Sequence, residues 1–168
     1  AILEQLSSRK IEIAEITLEV GLGTFEPIRT EQLEEHRIHK EAYEIPEATA
    51  QAILRAKQQH RPILAIGTTA VRALEDAAEK SIAISAAGSA QADTTLLNPG
   101  RAEAEIFLYP GKPFRVVDQL LTNFHLPRSS LLAMVAAFAG RENILHAYAH
   151  AVTAGYRFYS YGDCMLIR

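Results

Sequence analysis

The sequence has a single cysteine, Cys164, in 168 residues. A lone thiol cannot bridge within its own chain, so a disulfide-stapled scaffold is excluded and nothing asks for an oxidising compartment. Long apolar runs are lacking as well. The longest, 131–140, holds ten residues, about half of what a membrane-spanning helix needs. The opening Ala1-Ile2-Leu3-Glu4-Gln5-Leu6 has no basic region followed by an apolar stretch and a cleavage site. An excess of positive charge is also missing. Lys and Arg number 17 against 20 Asp and Glu, a formal net charge of −3, which argues against a phosphate-binding surface spread over the whole chain. Several chemical signatures are absent too. Gly67-Thr68-Thr69 lacks the lysine and glycine spacing of a Walker loop, Gly21-x-Gly23 lacks the third glycine of a dinucleotide fingerprint, and no His-Glu-x-x-His occurs. A reduced, soluble, cytoplasmic protein is expected.

What is present is an ordinary globular composition, 48% hydrophobic and 22% charged, enough to bury one core and too apolar for a disordered tail. Residues 1–60 carry seven basic against eleven acidic side chains, and residues 61–168 carry ten against nine. Ten of the twelve Phe and Tyr lie beyond residue 100. The C-terminal part is therefore the better candidate for meeting a polyanion or a stacked base.

Apolar Ile2, Leu3 and Leu6 share one face of a helix over 2–10, and Ile11 to Val20 reads as a strand that ends at Gly21-Leu22-Gly23-Thr24. A short charged helix is expected over 31–40 behind Thr30 as N-cap, and a longer one opens at Pro46 and runs to about His60. Ile63-Leu64-Ala65-Ile66 has the pattern of a strand buried on both faces, followed at once by a small-residue turn and a helix over 70–80. Residues 81–104, rich in Ala, Ser, Gly and Asn, predict a mobile loop. Strands are expected over 106–109, 115–121 and 157–168, and helices over 131–139 and 142–154. The alternation predicts a single α/β domain over 1–168, a three-layer αβα sandwich with a mixed sheet.

Five clusters can carry chemistry. Thr68 and Thr69 sit where a helix N-terminus would offer free N–H groups to an anion, with Arg72 one turn in; equally, a threonine can cap the helix while Arg72 pairs with Asp76. On the expected helix, His36 and His39 share a face near Glu41, which suits a metal, a proton relay or simply a solvated surface. His146 and His150, four residues apart, read as helix-surface or core residues. Asn123 and His125 follow a strand, where α/β sheets bind ligands, or else satisfy a tight proline turn. Tyr159-Ser160-Tyr161-Gly162-Asp163 offers two aromatics to stack on a base and an acid to accept a proton, or an ordinary tyrosine-rich strand and turn.

Six motifs stand in order along the chain: Gly21-Leu22-Gly23-Thr24-Phe25, His36-x-x-His39-x-Glu41, Gly67-Thr68-Thr69-x-Val71-Arg72-x-Leu74-Glu75, Tyr109-Pro110-Gly111, Thr122-Asn123-Phe124-His125-Leu126-Pro127 and Tyr161-Gly162-Asp163. Together they resemble the S-adenosylmethionine:tRNA ribosyltransferase-isomerase family of queuosine biosynthesis. The resemblance covers nearly all of this chain but only the C-terminal part of the family's, without its N-terminal segment and small β-barrel domain. It implies transfer of the ribosyl part of S-adenosylmethionine to 7-aminomethyl-7-deazaguanine at a tRNA wobble position. Isomerisation gives epoxyqueuosine, and adenine and methionine leave. The implied partner is a tRNA anticodon stem-loop carrying that base, with no metal, no membrane and no obligate protein partner.

The resemblance also implies roles. His39, Glu41, His125 and Asp163 are the expected proton-transfer groups. Gly21, Gly23, Thr24, Phe25, Thr68, Thr69 and Arg72 are expected to hold S-adenosylmethionine, and His36, Asn123 and Tyr161 the tRNA base. Where family members usually show Trp-Thr-Asp this chain has Glu103-Ala104-Glu105, and no site is expected there. Cys164 is expected to pack rather than react. Two other classes stand beside the enzyme reading: a non-catalytic nucleotide- or tRNA-binding fragment, and a metal-dependent hydrolase built on His36 and His39.

Overall fold

The structure is a computed structural model that describes residues 2–21, 27–86 and 96–168, apart from the Tyr161 side chain. In chain order the elements are α1 (Ile2–Ser8), β1 (Thr17–Glu19), β2 (Glu41–Ile45), α2 (Glu47–Gln58), β3 (Leu64–Ile66), α3 (Thr68–Ala86), β4 (Gly100–Ala104), β5 (Gln119–Asn123), α4 (Ser130–Ala139), α5 (Arg141–Thr153) and β6 (Cys164–Ile167). Single 3₁₀ turns occupy Leu33–Glu35 and Tyr159–Tyr161.

The α/β class and the mixed sheet are as expected. β3 runs parallel to β5 and β6 antiparallel to it, with Ala65 opposite Leu120 and Leu120 opposite Ile167. A second, wholly antiparallel sheet has the order β1-β2-β4. In β2 the side chains alternate as a strand with one buried face should, with Glu41, Tyr43 and Ile45 inward.

Helix α3 packs against β4 of one sheet and β3 and β5 of the other. Eight consecutive residues, Val71 to Ala78, are buried, so the helix is enclosed around its whole circumference. Three of those eight are charged, and each is bonded to backbone of neighbouring segments. Glu75 accepts from the N–H groups of Arg115, Val116 and Val117 at 2.6, 3.0 and 2.9 Å. Asp76 accepts from the N–H groups of Glu105 and Ile106 at 2.8 and 3.2 Å and from the Tyr43 hydroxyl at 2.9 Å. Arg72 donates to the carbonyls of His39, Ala104 and Ile106 and to the Glu41 carboxylate. Buried backbone groups must be paired, and here α3 supplies the partners.

This accounts for several differences from the sequence-based expectations. Residues 106–109 and 115–117 have strand-like composition, but carboxylates of α3 take the N–H groups at 106 and 115–117 in place of a neighbouring strand. The expected helix over 31–40 reduces to Leu33–Glu35, and residues 36–40 lead without helical structure into β2. His36 and His39 therefore do not share a helical face. The expected loop over 81–104 is in part regular: Ser81–Ala86 continues α3, where the Ser81 hydroxyl accepts from the Asn98 N–H at 2.8 Å, and Gly100–Ala104 is β4. β3 is covered on one face only, with Ala65 buried while Leu64 and Ile66 are 45% and 64% exposed. Cys164 is exposed, not packed.

Exchanging Glu75 for alanine removes the acceptor of three N–H groups, at least two of them buried. We expect a loss of roughly 3 kcal/mol of unfolding free energy, read as a lowered urea midpoint at unchanged m-value.

Candidate functional site

Strand β3 ends at Ile66, and Gly67 turns the chain straight into α3. Its φ of +94° suits only glycine, and its N–H donates to the Leu121 carbonyl of β5 at 2.9 Å. This bond places the start of α3 beside the end of β5. Two parallel strands thus finish side by side, the position where α/β sheets open a ligand crevice. A cavity of about 230 Å³ lies there. Gly67, Thr68 and Thr69 line one side, Thr122, Asn123 and His125 another, and Leu126, Ser129 and Leu131 of the α4 approach a third. Tyr159 and Ser160 complete it.

The first N–H groups of an α-helix have no partner within the helix, so the start of α3 favours an anion or the polar edge of a nucleoside. His125 is fixed from two sides. Its backbone N–H donates to the Tyr148 hydroxyl at 2.7 Å, and its Nε2 lies 2.8 Å from Thr122 Oγ1. Burial pushes its imidazole down from 6.5 to about 4, so it is neutral at physiological pH and a proton acceptor, not an imidazolium donor. Stability follows from the same shift. The unfolded chain protonates near 6.5 and the folded one only near 4, so stability is full above pH 6.5 and falls as the pH drops towards 4. The loss reaches at most about 3 kcal/mol. Denaturation midpoints measured across that window show the fall, and His125→Gln flattens it.

Of the residues proposed from sequence, the cavity brings together Thr68, Thr69, Asn123 and His125. Others lie elsewhere. Arg72 and Glu41 form an ion pair of 2.8 Å with side chains 4% and 8% exposed, and the guanidinium is committed on every nitrogen to Glu41, His39, Ala104 or Ile106. Arg72 is thus a brace rather than an open clamp, because the carbonyls of His39, Ala104 and Ile106 converge on it. His39 meets it through its carbonyl, and its own side chain faces outward. His36 packs edge-on against Phe107, ring centroids 5.2 Å apart. Asp163 accepts the Arg157 N–H at 2.6 Å and pairs with its guanidinium, which together hold the carboxyl below its ordinary value. It is engaged as an anchor for the loop over 157–163. Gly21 is exposed and an added Cβ would meet nothing within 4 Å. Gly23, Thr24, Phe25 and the Tyr161 side chain lie outside the described residues. Among the described residues no group of three or more His, Cys, Asp or Glu is placed to hold a metal ion, and no helix is long and apolar enough to cross a membrane.

Sequence reasoning did not single out Thr122, Ser129 or Ser160. Thr122 carried a signal, since it stands inside the Thr122–Pro127 motif; Ser129 is the N-cap of α4, accepting the Leu132 N–H at 3.1 Å.

Residues 1–167 match the family described as queuosine biosynthesis protein. The chain belongs to that family. Among the curated relatives, the S-adenosylmethionine:tRNA ribosyltransferase-isomerase of Sorangium cellulosum is 54% identical over 99% of this chain and 42% of its own length. The protein of the same name from Citrifermentans bemidjiense is 51% identical over 99% of this chain and 45% of its own. The crystal structure of the Thermotoga maritima S-adenosylmethionine tRNA ribosyltransferase superposes with a TM-score of 0.73 at 34% identity, covering 99% of this chain and 48% of that one. The chain therefore spans less than half the length of these family members.

Proposed function

We propose that the cavity at the ends of β3 and β5 is where this chain takes part in ribosyl transfer and isomerisation. The donor is S-adenosylmethionine and the acceptor the aminomethyl group of 7-aminomethyl-7-deazaguanine at the wobble position of a tRNA, giving epoxyqueuosine with release of adenine and methionine. The observation that carries this reading is the half-buried His125, bonded to Thr122 Oγ1 and neutral at physiological pH, in a cavity that also receives the start of α3.

The sulfonium makes its neighbouring carbon acidic, and a base in its neutral form is required to take that proton. His125 is in that form throughout the physiological range. The N–H groups and hydroxyls at Thr68 and Thr69 suit the methionine carboxylate, and Asn123 offers an amide to the edge of a base. Arg72 and Glu41 act through the framework that sets α3, not by touching substrate.

The test uses the protein at the full length of its relatives, with S-adenosylmethionine and an anticodon stem-loop bearing the aminomethyl base. Free adenine matched by a gain of the ribosyl-derived mass on the RNA is the expected result. A well-folded protein that releases none defeats the reading. A nucleotide- or tRNA-binding module without turnover is the second reading for these 168 residues alone, favoured by their covering under half of the relatives' length. It predicts affinity with no adenine.

A further inference from the structure

The segment after α5 is built unlike an ordinary connection. Tyr159 has a φ of +66°, the left-handed region that costs a bulky residue of order 1–3 kcal/mol. Such strain persists only where the surroundings impose it, and here they do. The Tyr159 N–H donates to the Phe124 carbonyl at 3.0 Å, tying the segment to the residue between Asn123 and His125. On the far side, Asp163 takes the Arg157 N–H at 2.6 Å and its guanidinium at 3.3 Å. Gly162, at φ +151°, leaves room for that guanidinium; an added Cβ would lie 2.7 Å from it. Asn123 Nδ2 donates to the Asp163 carbonyl at 3.3 Å, which closes the clasp onto the end of β5. Beneath lies an aromatic floor, with Phe124 and Phe158 centroids 5.0 Å apart and Tyr148 packed edge-on to both. Tyr159 nevertheless stays 44% exposed while lining the cavity.

A ring kept accessible at a backbone cost, beside a cavity bordered by hydroxyls, an amide and an imidazole, fits a flat ligand with a hydrogen-bonding rim. We propose that Tyr159 is the stacking wall on which this cavity seats a purine ring, and that the Arg157–Gly162–Asp163 clasp is the positioning device that holds it there. The proposal rests on reading the cavity as the nucleoside site. Asp163 is then a positioning residue rather than a proton carrier.

The test again uses the full-length protein, with adenosine and S-adenosylmethionine as probes. Asparagine tolerates the left-handed region, so Tyr159→Asn keeps the backbone and deletes the ring. Loss of one stacked base predicts a dissociation constant for adenosine raised about 5- to 150-fold, with KM for S-adenosylmethionine rising far more than kcat falls. Tyr159→Phe restores the affinity. Asp163→Asn raises KM in the same direction and leaves the limbs of the pH–rate profile where they were. Adenosine bound equally by wild type and Tyr159→Asn overturns the stacking role alone, while adenine release by the wild type keeps the functional reading. A pH limb that disappears with Asp163→Asn overturns the positioning role. A wild-type protein that neither binds adenosine nor releases adenine overturns both the inference and the function it rests on.

Discussion

With His125 replaced by alanine, adenine release by the full-length protein falls roughly 10²- to 10⁴-fold, the range a positioned proton-transfer group supplies. Burial lowers the imidazole pKa to about 4, so at pH 7 the ring is in its neutral form, though as a weaker base than a free histidine. Thr122 Oγ1 at 2.8 Å and the Tyr148 hydroxyl at 2.7 Å from the backbone N–H fix where the ring sits. The same geometry predicts the pH profile. Wild-type kcat/KM shows no limb near 6.5 from this group. Binding of S-adenosylmethionine changes much less than turnover, because deletion of a base removes an interaction made chiefly in the transition state. Unchanged adenine release by a folded His125→Ala protein sinks the assignment.

The second large effect concerns Arg72 and stability. Arg72→Ala withdraws the guanidinium from the Glu41 carboxylate, 8% exposed, and from the carbonyls of His39, Ala104 and Ile106. Removing one partner of a buried ion pair costs about 3–5 kcal/mol, because the remaining charge stays in the interior. Urea denaturation reads the loss directly. Arg72→Lys recovers little of it, since one ammonium cannot reproduce the planar fork that reaches Ile106 from Nε and Glu41, His39 and Ala104 from the terminal nitrogens. A variant with wild-type stability and weakened S-adenosylmethionine affinity is the opposite outcome. It restores Arg72 as a ligand clamp.

Part of the cavity's lining could be read along the chain. Gly67-Thr68-Thr69 announces a strand-to-helix turn, because a glycine between an apolar run and a helix start has a conformational reason. Asn123 and His125 stand where a strand-like run stops before a proline, and the α/β alternation with a mixed sheet follows from the order of apolar runs. These features are local, set by φ preferences, capping and periodicity over fewer than about ten residues.

What the tertiary structure alone decided is pairing at long range. Residues 106 and 115–117 carry strand-like side chains, yet they are served by Asp76 and Glu75, some thirty to forty residues away in sequence. Arg72 reads from sequence as a fork for an anion or as the partner of Asp76, and its bonds to three carbonyls and Glu41 make it a brace. Tyr159 reads from sequence as one of two aromatics able to stack on a base or as part of a strand, and the Phe124 carbonyl and the Arg157–Asp163 clasp set it in a left-handed turn beside the cavity. The physical reason is common to all three. Residue type determines which bonds a side chain can make, while burial and the unmet needs of distant backbone determine which of them it makes.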